Sequence, residues 1–377
     1  DGGATWENVT PKKMPDWMMI NSVDASPFDS GTAYIAGTRY KLGDFTPYLY
    51  VTDDYGKNWK LITDGIKDEH FTRVLRSDKV NKNILYAGTE TGMYISYDRG
   101  NSWNEFQKNL PIVPITDLTI KDNSLIVATQ GRSIWMIDDL TVFHQLTPST
   151  DQIKLYKPKD SYRMGGAGGR KSLTAGTNLP NGAIIHYFIP NYDKENDQVS
   201  LSIHSADGTL VKEFSDKSKE NLLKVKNGGN SFVWNMKYPG AKRLDNMVLW
   251  GADFTGAKAV PGNYIVKLKV NDTEMTQEFT IHKDPTSEGS IDDIKAQFEF
   301  VNEINGVVDK AHKAIENIRS MKTDLKKFQS DYADNEFAKD LIEKSKSILE
   351  SIDKIENELY QTKNQSNQDP LNFGVRL

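Results

Sequence analysis

Three copies of the pattern Asp-x-Gly-x-x-Trp occupy the first 103 residues, and they constrain the chain more than anything else in it. They are Asp1, Gly3 and Trp6; Asp54, Gly56 and Trp59; and Asp98, Gly100 and Trp103. The tryptophans recur at steps of 53 and 44 residues, the range of four-stranded propeller blades. Each residue type has a mechanical task. Thr52 or Ser96 ends a strand, and the Asp accepts backbone amides across a tight turn. The Gly takes a conformation that a Cβ opposes, and the Trp opens the next strand against the sheet. Between the motifs lie short β-branched or aromatic runs, TAYIAGT, PYLYVT, NILYAGT, GMYISY and NSLIVAT, punctuated by Gly, Asn and Asp. GRSIWMIDD (131–139) reads as a degenerate closing unit in which Trp135 has lost the Asp box. As a cation site, Asp53, Asp54 and Asp98 lack the further oxygen ligands and closing Glu of a calcium loop. The motifs therefore read as turns, with no metal.

After Leu146 the texture changes. GGAGGR (165–170) is a loop signal, followed by the alternating runs GAIIHYFIP, VSLSIHSADGTLVKEF, NSFVWNMKY and GNYIVKLKVNDTEMTQEFTIH. SADGTL and VNDTEM read as hairpin turns, and Trp234, in alternation with Phe232 and Met236, as a core aromatic of a two-sheet sandwich. Beyond Pro285, Ser290 and Asp293 make a capping box for a long amphipathic helix running from Ile294 to Phe328. A second stripe carries Phe337, Leu341, Ile348, Ile352, Ile355 and Leu359 after the polar connection QSDYADNE, so two antiparallel helices are expected, with one apolar edge left open for a partner. The expected fold class is mainly β with an α-helical tail. Residues 1–145 are the terminal blades of an Asp-box β-propeller, 146–285 an immunoglobulin-like or FnIII-like β-sandwich, and 286–377 a two-helix, coiled-coil-like hairpin and tail. Asp1 lies inside a repeat motif with no initiator Met, so the sequence reads as a segment of a larger protein whose missing blades are its first partners.

Composition narrows the chemistry. A net charge of −5 gives no basic footprint for nucleic acid, and no run approaches the roughly 20 apolar residues that cross a bilayer. With no cysteine, thiolate catalysis and cysteine-ligated zinc are excluded. The six histidines show no metal-ligand spacing, and no nucleophile elbow, P-loop or dinucleotide fingerprint occurs, so no cofactor is expected. Glycoside hydrolysis needs two carboxylates across a cleft, and 52 acidic residues do not single out a pair. Arg39, Arg73, Arg76 and Arg132 fall in the propeller segment. The loop Arg39, Tyr40, Lys41 and Asp44 is the best binding candidate, joined by Arg132 and, as an exposed platform in the sandwich, Trp250 with Phe254. No catalytic residue is assigned.

Residues 1–145 resemble the C-terminal end of the bacterial sortilin-like, BNR-repeat propeller proteins common in Bacteroidota and often labelled glycosyl hydrolases. RYKLGDFTPYLYVTDDYGKNW, GTETGMYISYDRGNSW and LPIVPITDLTIKDNSLIVATQGRSIWMIDDL carry the likeness, although Gln130 stands where that family has a His before Gly-Arg. NGAIIHYFIP, DGTLVKEF, NSFVWNM and AVPGNYIVKL resemble the immunoglobulin-like module of the flagellar hook-capping protein. The resemblance implies a secreted, periplasmic or cell-surface scaffold that binds protein, peptide or polysaccharide. It implies as an alternative a secreted glycoside hydrolase, sialidase-like or xyloglucanase-like, with its catalytic residues mostly upstream of residue 1. A sortilin-type peptide receptor is a third reading, opposed by the missing cysteine-rich module.

Overall fold

The computed structural model describes residues 2–146, 151–165, 176, 178–248, 254–366, 368–369 and 373. Asp1, most of GGAGGR, Trp250 and most of the tail from 370 on lie outside the described residues. The chain is mainly β with a C-terminal helical segment, and it divides into two compact units.

The first unit comprises residues 1–157 and 186–190. Its first sheet is an antiparallel meander of β1 (Met19–Ala25), β2 (Ala33–Arg39), β3 (Asp44–Thr52) and β4 (Lys60–Leu61). The second repeats it with β5 (Thr72–Ser77), β6 (Leu85–Thr89), β7 (Gly92–Ser96) and β8 (Asn104–Glu105). The third holds β9 (Ile115–Lys121), β10 (Ser124–Thr129) and β11 (Ile134–Ile137). The period-2 alternation of each strand gives the sheets two apolar faces, and they stack in a propeller-like series. Tyr34, Ala36, Leu49 and Val51 of the first sheet meet Leu75, Leu85, Ala87 and Tyr94 of the second. Val74, Tyr86, Met93 and Ile95 meet Ile115, Leu118, Leu125 and Val127 of the third. Side chains also cross between successive first strands. Ser22 Oγ accepts the Leu75 amide at 3.1 Å, Asp24 accepts the Ser77 amide at 2.8 Å, and Arg76 Nε donates to the Leu118 carbonyl at 2.9 Å.

The turns at 52–59 and 96–103 are built alike. Thr52 Oγ1 accepts the Gly56 amide at 2.9 Å and donates to Asp54 Oδ1, which takes the Asn58 amide at 2.8 Å. Ser96 Oγ accepts the Gly100 amide at 2.8 Å and donates to Asp98 Oδ1, which takes the Ser102 amide at 2.8 Å. The remaining carboxylate oxygens are occupied by the side chains of Asn58 and Ser102. Gly56 and Gly100 sit at φ +83° and +84°, where a side chain is strained. A short β12 (Lys154–Leu155) completes the unit, pairing with Phe188 and Tyr187.

The second unit comprises residues 158–185 and 191–377. In chain order the strands are β13 (Ser161–Arg163), β14 (Ala183–Ile189), of which residues 183–185 belong to this unit and 186–189 to the first, β15 (Val199–Ser205), β16 (Leu210–Ser215), β17 (Gly228–Trp234), β18 (Gly262–Val270) and β19 (Thr273–Lys283). Five of them form one sheet in the order β13, β19, β18, β15, β16, with β13 parallel to β19 and the other pairs antiparallel. Trp234, fully buried, packs from β17 onto Tyr264 and Phe279 of that sheet at 5.6 and 6.4 Å between ring centroids.

Two helices end the chain, α1 (Ile291–Asp331) and α2 (Lys339–Leu359). At 1.5 Å per residue, α1 is about 60 Å long. Ser290 caps it, accepting the Asp293 amide at 3.1 Å while Asp293 takes the Ser290 amide at 2.8 Å. Arg319 meets Glu356, Lys322 meets Asp353 and Glu356, and Gln329 meets Ser345, so numbers rise along one helix as they fall along the other. The inward face of α2 therefore holds Ser345 and Glu356. Leu341, Ile348 and Ile355, expected on its apolar stripe, are exposed. Phe337 lies before α2 in a 3-10 turn that starts where the Asn335 side chain accepts the Phe337 amide, and it is 98% exposed. α1 also packs on its own unit, with Phe298 against Tyr238 and His312 against Phe254.

Candidate functional site

The turn between β2 and β3 is short because the chain reverses in a single 3-10 turn, Tyr40–Leu42. Gly43, at φ +78°, closes it by donating its amide to the Tyr40 carbonyl at 3.0 Å. Arg39 and Asp44 thereby face each other across the two strands, and Arg39 Nη1 donates to Asp44 Oδ2 at 2.7 Å. Asp44 also accepts the Tyr48 hydroxyl at 2.8 Å and the Thr46 amide at 3.1 Å. Burial pushes the Asp44 carboxyl up, but the Thr46 amide, Tyr48 and Arg39 together hold it below the ordinary carboxylate range. Tyr48, half-buried and beside that carboxylate, is pushed above its ordinary value, chiefly by its partial burial.

A second layer lies beside this turn. Tyr40 stacks on Phe71 at 5.1 Å and 11°, and Phe45 approaches the same ring at 5.9 Å. The Arg73 guanidinium sits over both Tyr40 and Phe71, 5.7 and 5.3 Å from their centroids. Arg73 Nε also donates to Glu90, in the β6–β7 turn, at 2.6 Å. The β2–β3 and β6–β7 turns are thus joined by an aromatic and ionic cluster. Cation–π contacts of this kind contribute about 0.5–2 kcal/mol each.

The equivalent turn of the third sheet, between β10 and β11, carries Arg132 after Gly131 at φ +85°. Because the three sheets repeat one meander, the turns at 40–43, 90–91 and 130–133 share one end of the stack. The Asp-box turns occupy the opposite end. The fold therefore brings Arg39, Tyr40, Lys41, Asp44 and Arg132 to the same end, with Arg73 and Glu90 among them. Lys41 is exposed, and among the described residues the Arg132 guanidinium bonds only the neighbouring Gly131 carbonyl, at 3.2 Å. Asp53 is at the other end, paired with Arg99 at 2.7 Å. Phe254 belongs to the second unit, under Arg243 and beside His312.

Sequence reasoning missed Trp17, Phe71 and Glu90. Trp17 is 87% exposed and sits at φ +59°, a left-handed conformation that costs a bulky residue energy. It borders a cleft of about 200 Å³ with Met19, Thr38, Arg39, Tyr40 and Leu42, and Lys41 stands at its rim. Thr38 is buried, and neither its hydroxyl nor Arg39 Nε, both shut off from solvent, has a hydrogen-bond partner among the described residues. The one signal for Trp17 was an isolated aromatic in KMPDWMMI just ahead of a strand.

Chemically, the end offers aromatic surface, cations and two carboxylates already held by arginines. A general acid in glycoside cleavage needs a carboxyl raised toward neutrality. Among the described residues every carboxyl with a shifted pKa, Asp44 included, is shifted downward. No group of three or more His, Asp or Glu among the described residues is placed to hold a metal. No helix there is long and apolar enough to cross a membrane.

No family model matches the chain, and no curated protein matches it. Among solved structures it is similar to an ancestral GH74 enzyme at 19% identity and a TM-score of 0.25, covering 30% of this chain and 14% of the enzyme's. It is similar to YCF48 bound to D1 peptide at 14% identity and a TM-score of 0.27, covering 74% of this chain and 73% of that one. A third is the extracellular domain of the putative hybrid two component system BT4673 from B. thetaiotaomicron, at 11% identity and a TM-score of 0.24, covering 71% and 31%. The chain thus spans a small fraction of the GH74 enzyme's length. At such scores the likeness adds nothing to the geometry of the site.

Proposed function

We propose that this chain is the binding segment of an extracytoplasmic propeller-like protein, secreted, periplasmic or on the cell surface, and that its ligand meets the end carrying Arg39, Tyr40, Lys41 and Arg132. The observation that carries the reading is the state of the acids there. Asp44 and Glu90 are each engaged by an arginine, at 2.7 and 2.6 Å, so neither is a free proton donor or nucleophile. The same cluster holds a rigid aromatic surface of the kind that recognition sites use.

The rest of the chain serves as scaffold. The Asp-box turns fix the sheets, and further sheets of the same protein cover the outer face of the third, where Ile134 and Met136 are 70% and 55% exposed. The second unit is an immunoglobulin-like sandwich with a coiled-coil-like helical hairpin, whose exposed Leu341, Ile348 and Ile355 take a further partner. The test is a panel of glycans, aryl glycosides and peptides offered to the longest version of the protein. Binding without turnover supports the reading. Turnover that dies with one pair of carboxylates favours instead a glycoside hydrolase with its acids on other blades.

A further inference from the structure

The sheet stack is open at two places that match each other. Val23, Ile35, Tyr50 and Leu61 lie side by side across the first sheet, and Leu75, Ala87, Tyr94 and Glu105 across the second. The third offers Leu118, Val127 and Trp135, and no strand among the described residues pairs with the outer edge of β11. One backbone bond fixes this alignment in all three. The carbonyls of Gly31, Asn83 and Asn123 accept the amides of Tyr55, Arg99 and Leu140. Ile35, Ala87 and Val127 each follow four residues later. The place left open in the third row is that of a fourth strand. In the first two sheets it is taken by the second residue after a repeat tryptophan, Leu61 after Trp59 and Glu105 after Trp103.

A third segment of that kind lies ahead of the first sheet. Trp59 bonds the carbonyl of Val9 as Trp103 bonds that of Ile62, and each acceptor stands three residues beyond a tryptophan. The segment 6–9 therefore holds the position of 59–62, and Glu7 with Asn8 that of β4, yet no sheet among the described residues contains it. Trp6 is exposed, and its indole donates to its own Gly3 carbonyl at 2.9 Å instead of to a preceding repeat. The faces match as the edges do. Ile134 and Met136, exposed, stand where the second sheet has Met93 and Ile95, buried against the third. Val23, exposed, stands where the second sheet has Leu75, buried against the first. An open strand edge bordered by exposed apolar side chains is a surface for strand addition.

Resting on the reading that further sheets of this protein cover the third, we propose that the cover is a second copy of the chain, joined head to tail. Its segment 6–8 adds to β11 as the fourth strand, with Asn8 opposite Trp135 and Glu7 opposite Met136. Its first sheet lies on the third, so that Val23 joins Ile134 and Met136 in one apolar layer. Its Trp6 indole turns to the carbonyl of Phe106, three residues beyond Trp103. Rings of stacked sheets close with about four to eight members. One copy supplies three sheets and cannot close, two supply six, and three would supply nine. In the pair both junctions are the same and no edge stays open.

The chain has no cysteine, so single cysteines report the junction. Opposed residues of neighbouring strands have Cα atoms about 4.5–5.5 Å apart, within reach of a disulfide. Glu7→Cys and Met136→Cys alter exposed positions, and neither should move the melting temperature. Mixed and oxidised, the two variants should yield at least tenfold more covalent dimer than Glu7→Cys mixed with Lys121→Cys. The parent should sediment at twice the monomer mass. Met136→Lys and Val23→Lys should each be monomeric, and their mixture should regain dimer because one of its two junctions carries neither change. Dimer that either lysine variant retains in full overturns the proposal, as does cross-linking no greater than the control. A monomeric parent overturns it too, and the longest version of the protein then separates the two readings. A Met136→Cys thiol shielded there from alkylation leaves the third sheet covered by sheets of its own chain. A thiol as reactive there as in the monomer removes that reading as well.

Discussion

The indole N–H of Trp103 donates to the carbonyl of Ile62 at 2.7 Å, and that of Trp59 donates to the carbonyl of Val9 at the same distance. Each of these two tryptophans thereby fastens its turn to the residue three positions after the preceding repeat's tryptophan, 41 and 50 residues back along the chain. The two bonds differ in surroundings, since Trp103 is 4% exposed and Trp59 is not buried. Trp103→Phe removes the donor and leaves a buried carbonyl unpaired, which costs about 1–3 kcal/mol. Trp59→Phe should cost well under half of that. Chemical denaturation of the two variants, compared at equal slope, checks the difference.

Gly100 makes a sharper test of the same turn. It sits at φ +84°, and a Cβ there would come 2.6 Å from Ile62 Cδ1. Gly100→Ala should destabilise the protein by about 1–3 kcal/mol through backbone strain and overlap together. Adding Ile62→Val removes the overlapping methyl but not the strain. The double variant should therefore recover part of the loss in thermal denaturation, and never all of it.

Acid should act through Asp78, which is fully buried. Burial pushes its carboxyl up, but His144 and the amides of Asn81 and Val80 outweigh burial and hold it below the ordinary value. A carboxyl depressed in the folded state contributes stability that is present above its unfolded pKa of roughly 3.9 and is lost as pH falls through the folded value. Melting temperature should therefore drop steeply below about pH 4. Asp78→Asn should lower it at pH 7 and flatten the acid limb.

Between the helices, Glu356 is 5% exposed and accepts Arg319 Nε at 2.8 Å, with Lys322 on its other oxygen. Glu356→Gln keeps the shape and removes the charge, leaving Lys322 facing a neutral amide. The loss should be about 1–2 kcal/mol, at the low end for a buried pair because Arg319 remains partly in water. It should appear in the far-ultraviolet helical signal on heating and shrink as salt rises.

Periodicity made the broad architecture legible. The alternating runs mark a mainly β chain, and the three-and-four spacing after Ser290 marks the helical segment, because burial of one face leaves a repeating trace. Ser290 with Asp293 even located the start of α1. The face of α2 was less legible. Glu356 and Ser345 are polar yet turned inward, satisfied by Arg319, Lys322 and Gln329 from 16 to 37 residues away. The turn end was legible only where its residues are adjacent in sequence. Arg39, Tyr40, Lys41 and Asp44 form one run, whereas Phe71 and Glu90 reach the same cluster through strand pairing and leave no local pattern.

The most direct test of the central claim compares the two ends of the sheet stack. Lys41→Ala and Arg132→Ala alter exposed positions at the turn end, and Lys57→Ala and Arg99→Ala alter the Asp-box end. Affinity for the peptide and glycan ligands is measured for all four by titration calorimetry, with melting temperature as control. The account predicts several-fold weaker binding in the first pair and parent affinity in the second. Weakening confined to Lys57→Ala and Arg99→Ala, or hydrolysis of a bound glycan that Asp44→Asn abolishes, would contradict it.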